Sequence, residues 1–193
     1  MGGVDKGLQT LHNQPLAWHS LARLRAQTTR PQHLAINANR HLDTYSGWGV
    51  PVWTDTVADQ PGPLAGFLTG LTHCKTPLLL TVPCDTPHFP LDLLDRLWVA
   101  LQTPDTDMAM AMAPDGSGPP RRQPVFCLLK TELRSSLAGF LAQGGRKIGA
   151  WTEKHRCAVV AFDQPGDTPQ AFANINTPED LEQLARTTHH RHP

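Results

Sequence analysis

A three-layer α/β fold with a mostly parallel sheet is predicted by two features of the 193 residues. Short apolar runs alternate with amphipathic helical stretches, and three of those runs in the first half finish on an amide or a carboxylate. Parallel strands need long crossovers, and helices are the usual way to return the chain, so alternation of this kind implies helices on both faces of one sheet. The length suits one domain with a sizeable core. A single domain is expected over residues 1–188, ahead of a His-rich tail at 189–193.

The first helix is predicted over residues 15–27, where Leu16, Leu21 and Leu24 share a face. A short strand at 33–37 ends on Asn37, and a second at 50–55 ends on Asp55. The next helix, 62–74, places Leu64, Leu68 and Leu71 on one side. The most continuously apolar strand, 77–85, finishes on Asp85. Residues 90–101 read as a helix with Pro90 near its start, where the missing N–H costs nothing. The alternating Met and Ala of 107–114 indicate a strand with methionines on one face, read as core. Composition marks 115–124 as a loop, followed by a strand at 124–130, a helix at 131–143 and a strand at 157–163. A closing helix is announced by Thr177-Pro178-Glu179-Asp180, with a capping hydroxyl, a first-turn proline and two acids near the positive end of the dipole.

Seventeen basic residues balance seventeen acidic ones, so no broad attraction to nucleic acid or to an anionic membrane is expected. No apolar run reaches spanning length and no signal peptide is seen. Cys74, Cys84, Cys127 and Cys157 have no tight spacing; they fit reduced, mostly buried thiols in a cytoplasmic protein. The clustered histidines of the tail are expected to be solvated or to bind metal only adventitiously.

In open α/β sheets, ligands bind beyond the carboxyl ends of the strands, which directs attention to Asn37, Asp55 and Asp85. Asp85, at a strand tip before a proline-rich loop, is suited either to Mg²⁺ with substrate oxygens or to an ordinary turn. Asn37 and Asp55 offer hydrogen bonds to a base or ribose, and equally suit turns. The glycines of GPLAG (62–66) allow close backbone approach to a ligand or a plain loop-to-helix junction. Lys6 alone reads as a surface lysine. Cys84 reads as an inert thiol, and G-x-S-x-G, a complete Walker loop and H-E-x-x-H are all absent.

Five blocks in order, MGGVDKGL (1–8), INANR (36–40), D-x-x-x-D-x-P-G-P-L-A-G (55–66), PCDTP (83–87) and NINTPEDL (174–181), resemble the molybdenum cofactor guanylyltransferases, the MobA family. The resemblance implies a Rossmann-like nucleotidyltransferase fold and a cytoplasmic enzyme that joins GMP from GTP to molybdopterin bearing molybdenum. By that similarity Lys6, Asn37, Asp55 and Asp85 contact GTP, with Lys6 on its phosphates and Asp85 also holding Mg²⁺. Lys6 and Asp85 would be the catalytic pair. Asn174 and Asn176, with Arg146 and Lys147, would lie on the pterin side. Molybdopterin-insertion and molybdoenzyme proteins would be the protein partners, with no nucleic acid and no membrane.

Two departures stand out. Family members carry an apolar strand and a glycine-rich loop ahead of M-G-G-x-D-K-G, and the expectation is a start assigned too late, at an internal methionine. Residues 121–125, RRQPV, place Gln123 where relatives often show histidine, and glutamine can hydrogen-bond but not carry charge. Alternatives are a cytidylyl or sugar-nucleotide transferase of the same fold, against which INANR and PGPLAG argue, and a non-catalytic molybdopterin-binding or docking protein.

Overall fold

The computed structural model describes residues 5–56, 62–114, 119–168, 170–177 and 179–182. The first element among the described residues is a 3-10 turn, Lys6–Leu8, capped by the Asp5 carboxylate, which accepts from Gly7 N–H at 3.0 Å. A small hairpin, β1 (Thr10–Leu11) and β2 (Gln14–Pro15), then leads into α1 (Leu16–Arg25). No pattern in the sequence announces this hairpin. Its turn residues His12 and Asn13 both adopt positive φ, as a type I′ connection requires, without the glycine that usually marks one.

Next come β3 (Ile36–Asn37), α2 (Leu42–Ser46), β4 (Val52–Trp53), α3 (Pro63–His73), β5 (Leu78–Thr81) and α4 (Leu93–Leu101). The second half holds β6 (Met108–Pro114), β7 (Pro120–Lys130), a 3-10 turn at Thr131–Leu133, α5 (Arg134–Ala142), α6 (Ile148–Thr152) and β8 (Cys157–Ala161). Strands β5 to β8 form one sheet in the order β5-β7-β6-β8. Strands β6 and β8 are parallel, while β7 is antiparallel to both its neighbours, so β5, β6 and β8 run one way and β7 alone runs back. Strands β3 and β4 make a separate parallel pair.

Two apolar cores define the layers. Met108 and Met110 point to one face of the sheet and meet Leu64, Leu68 and Leu71 of α3, Leu137 of α5 and the fully buried Trp151 of α6. The intervening alanines, 109, 111 and 113, point to the other face and meet Leu93 and Leu97 of α4 with Phe89, Phe126 and Phe162. The period-two alternation of 107–114 therefore sorts large side chains to one layer and small ones to the other, and both faces are buried. The small alanines leave room for the phenylalanines that close the second layer.

Residues 120–124, expected as loop, belong to β7. Pairing resumes past a bulge, since Met110 faces Cys127 while Ala111 faces Gln123. Pro124 falls in that bulge, where a missing N–H breaks no ladder bond. Arg121, Arg122 and Pro120 continue the pairing opposite Ala113, Met112 and Pro114. Composition misled here because proline and arginine are rare in a central strand but tolerated where a ladder runs out past the body of the sheet. The start of the closing helix is capped as its sequence suggested: Thr177 Oγ1 accepts from Asp180 N–H at 3.1 Å. The His-rich tail lies outside the described residues.

All four cysteines are free. Cys127 is buried, Cys74 and Cys157 are half-buried and Cys84 is exposed, so the expectation of mostly buried thiols is met in full by Cys127 alone. No helix among the described residues is long and apolar enough to cross a membrane.

Candidate functional site

Side chains from three distant motifs meet beyond the end of β5. Lys6 Nζ donates to Asn176 Oδ1 at 2.8 Å and pairs with Asp85 Oδ2 at 3.4 Å. The loop that carries Asp85 is tied to the late asparagine segment twice. Ile175 N–H donates to the Asp85 carbonyl at 2.8 Å, and the buried Thr86 hydroxyl donates to Asn174 Oδ1 at 2.6 Å. Asn176 is in turn held by the Asp180 carboxylate, which accepts from Asn176 N–H and Thr177 N–H at 3.0 and 2.9 Å. Those backbone bonds to its charged form hold the Asp180 carboxyl below the usual aspartate value.

A second cluster sits beyond β3 and β4. The Asp55 carboxylate accepts from Asn37 Nδ2 at 2.9 Å, Asn39 Nδ2 at 2.8 Å and Thr69 Oγ1 at 3.0 Å. Asn39 Oδ1 also accepts from Asp55 N–H at 2.8 Å, so the two residues clasp each other. The glycine at position 66 explains part of GPLAG. A Cβ there would lie 2.6 Å from Asn37 Oδ1, closer than real Cβ contacts come, so glycine lets the amide lie against α3.

Asn37 and Asn39 of the second cluster line an open cavity of ≈ 300 Å³. Arg40 lines it too, as do Asp5 and Cys84, the sequence neighbours of Lys6 and Asp85. Tyr45 closes the space: its hydroxyl donates to Asp5 Oδ1 at 3.0 Å, and desolvation followed by the Asp5 charge raises its pKa. The Cys84 thiol is pushed up to about 11, first by desolvation and then by the Asp85 and Asp5 charges, which makes it a poor nucleophile although the residue reaches the surface.

Of the residues singled out from the sequence, Lys6, Asp85, Asn174 and Asn176 are brought together, and so are Asn37 and Asp55. Arg146 is not joined to either cluster. Its guanidinium donates to the carbonyls of Leu141 and Gly145 at 3.3 and 2.8 Å, at the carboxyl end of α5. No hydrogen bond or ion pair among the described residues ties Lys147 to the clusters. Asp5, Asn39, Thr69 and Thr86 escaped sequence reading; Asn39 lies inside INANR and could have been found by its spacing from Asn37. No group of three His, Cys, Asp or Glu able to hold a metal occurs among the described residues, so any ion here would rest chiefly on one carboxylate.

The sequence matches the family described as MobA-like NTP transferase domain over residues 1–159. The chain belongs to that family. A relative named molybdenum cofactor guanylyltransferase, from Acidovorax ebreus (strain TPSY), is 57% identical over 194 residues, covering 98% of this chain and 90% of the relative. Among solved structures, molybdopterin-guanine dinucleotide biosynthesis protein A from Archaeoglobus fulgidus superposes with a TM-score of 0.76 at 18% identity, over 97% of this chain and 92% of that one. The 2-C-methyl-D-erythritol 4-phosphate cytidylyltransferase from Thermus thermophilus gives a TM-score of 0.66 at 19% identity, over 94% and 93%. At such identities the structural likeness speaks for the nucleotidyltransferase fold alone. The expected Rossmann-like α/β class is thus borne out in this MobA-like chain.

Proposed function

We propose that this MobA-like chain is a guanylyltransferase that moves GMP from GTP to molybdopterin carrying molybdenum and releases pyrophosphate. The observation that carries the reading is the meeting of Lys6, Asp85 and Asn176, whose sequence neighbours Asp5 and Cys84 line a cavity together with Asn37 and Asn39, the amides bonded to Asp55. The 57% identity to a relative of that name supports the choice of nucleotide and acceptor.

In this reaction a phosphate oxygen of molybdopterin bonds to the α-phosphorus of GTP. The bond from that phosphorus to the bridging oxygen breaks, and pyrophosphate leaves with the electron pair. Several anions must be held together, so positioning and charge neutralisation are what the protein supplies. Lys6 provides a cation for the phosphates, and Asn176 fixes where its ammonium points. Asn37 and Asp55 hold the guanosine part, with Asn39 and Thr69 orienting the Asp55 carboxylate. Arg146 and Lys147 belong to the pterin side in this reading.

Asp85 fits Mg²⁺. One hard carboxylate is a sufficient protein ligand for an ion that keeps its waters and shares substrate phosphates. Only one Asp85 oxygen is engaged by Lys6, at a long 3.4 Å. When bound, the ion supplies positive charge that polarises the phosphoryl oxygens.

Calorimetric titration with GTP and with CTP, each with Mg²⁺, tests the assignment. GTP is expected to bind more tightly, and pyrophosphate release is expected only when molybdopterin is added. A clear preference for CTP would sink the guanylyl reading.

A further inference from the structure

Tyr45 belongs to α2, which follows the cavity-lining residues 36–40, yet its hydroxyl bonds to the turn that carries Lys6. Its ring is buried and fixed by aromatic neighbours. It meets Trp48 edge-on at 5.0 Å, and Trp48 meets Trp18 of α1 edge-on at 5.5 Å. Arg25 completes the stack, with its guanidinium 5.6 Å from the Trp18 ring and a bond donated to the Trp48 carbonyl at 3.4 Å. Ring pairs of this kind set orientation as well as burying apolar area. The phenol is therefore aimed, and only its polar tip has work left to do.

That tip meets both residues that flank Lys6. Asp5 Oδ1 accepts from the Tyr45 hydroxyl at 3.0 Å and from Gly7 N–H at 3.0 Å, so one carboxylate oxygen gathers the phenol and the turn. At Gly7 a Cβ would stand 2.5 Å from the Tyr45 oxygen, and glycine is what lets the hydroxyl come in. Desolvation and then the Asp5 charge hold the phenol above its usual pKa, which keeps it a donor. Lysine carries its charge on a flexible four-carbon stem. The bond to Asn176 at 2.8 Å holds the head of that stem, and the Asp5–Gly7 turn sets where it starts.

We propose that Tyr45 is a positioning residue for the Lys6 ammonium: its hydroxyl locks the Asp5–Gly7 turn so that the cation is presented to the substrate phosphates. Tyr45 acts through Lys6 and touches no reacting atom. The role rests on the assignment of the GTP phosphates to Lys6. Holding a cation in place before the anion arrives removes an ordering cost from binding and from the transfer step alike. The sequence hides this link, because Tyr45 and Asp5 lie 40 positions apart and neither carries a spacing that pairs it with the other.

Calorimetric titration of the full chain with GTP and with guanosine, each with Mg²⁺, separates this role from a merely structural one. Tyr45→Phe keeps the ring and removes the hydroxyl. In that variant guanosine is expected to bind as it does to the parent chain, while GTP binds about tenfold more weakly. Lys6→Met binds GTP weakly on its own account, and adding Tyr45→Phe to it is expected to change GTP affinity by less than about twofold. Equal weakening of guanosine and GTP by Tyr45→Phe would mean a general loosening of the site and overturns the proposal. A further loss of about tenfold in the Lys6→Met background overturns it too, since the tyrosine would then act without the lysine. Failure of the parent chain to bind GTP would overturn the transfer reading and this role with it. GTP binding by the parent that Tyr45→Phe leaves unchanged overturns the role alone.

Discussion

The four-stranded half and the β3–β4 half of the molecule are held by different forces. Strands β6 and β7 run for seven and eleven residues and bury side chains on both faces. Strands β3 and β4 have two residues each, and the carboxylate beyond them is fixed by Asn37, Asn39 and Thr69 through side-chain hydrogen bonds. Apolar burial is non-directional and makes a stable body, whereas charge-assisted hydrogen bonds fix direction at a modest net gain. The Asp55 clasp sits where directional bonds do the holding, and the Lys6–Asp85–Asn176 cluster lies beyond β5, at the edge of the apolar body. A stable half and a precise half need not be the same half.

Damage to the first half should appear in stability. Trp151→Ala removes a fully buried ring from the core under β6, and a loss of about 3–5 kcal/mol is expected by denaturant unfolding. The converse variant, Asp85→Asn, should leave that midpoint nearly unchanged while lowering the transfer rate about a hundredfold to a thousandfold, read as pyrophosphate release. Retained activity would remove Asp85 from the chemistry. Asn39→Ala breaks both bonds of the clasp, and about 1–2 kcal/mol of nucleotide affinity should be lost, seen as raised KM for GTP with kcat less affected.

The smallest effect concerns pH. Asp167 would be raised by desolvation, but bonds from the Arg96 guanidinium, at 2.8 and 3.2 Å, and from Gln164 N–H outweigh it and hold its pKa below the usual 3.8. A carboxyl depressed in the folded state adds stability above its unfolded pKa and loses it as pH falls through the folded one. Asp167→Asn should therefore lower the thermal midpoint slightly at neutral pH, with the gap to the parent chain shrinking below pH 3.8.

The helices were legible because periodicity and caps are local: Pro63 opens α3, and leucines mark the faces of α1, α3 and α4. The residues at the strand tips were legible for a different reason, since topology places a chain end where a sheet ends. The bulged start of β7 was hidden because a strand is made by its partner, and Pro120 to Pro124 carry no period of their own. The hairpin at β1–β2 was hidden because His12 and Asn13 adopt positive φ without a glycine to announce it. Thr69 was hidden because it matters only through Asp55, a residue on another element, whereas Asn39 stood two positions from Asn37 in INANR and was within reach of the sequence. The basic pair at 146–147 was legible as charge, yet charge does not say which end of a helix it will cap.

The contact between Lys6 and Asn176 spans 170 positions, and the Asp85 carbonyl waits for Ile175. A ribosome must pass residue 176 before both bonds can form, whereas the β6–β7 hairpin can pair long before that. During synthesis the core can therefore mature before the Lys6 ammonium has its Asn176 partner. The position of the Lys6 ammonium is therefore set only once residues 174–176 are in place, after β6 and β7 can already have paired.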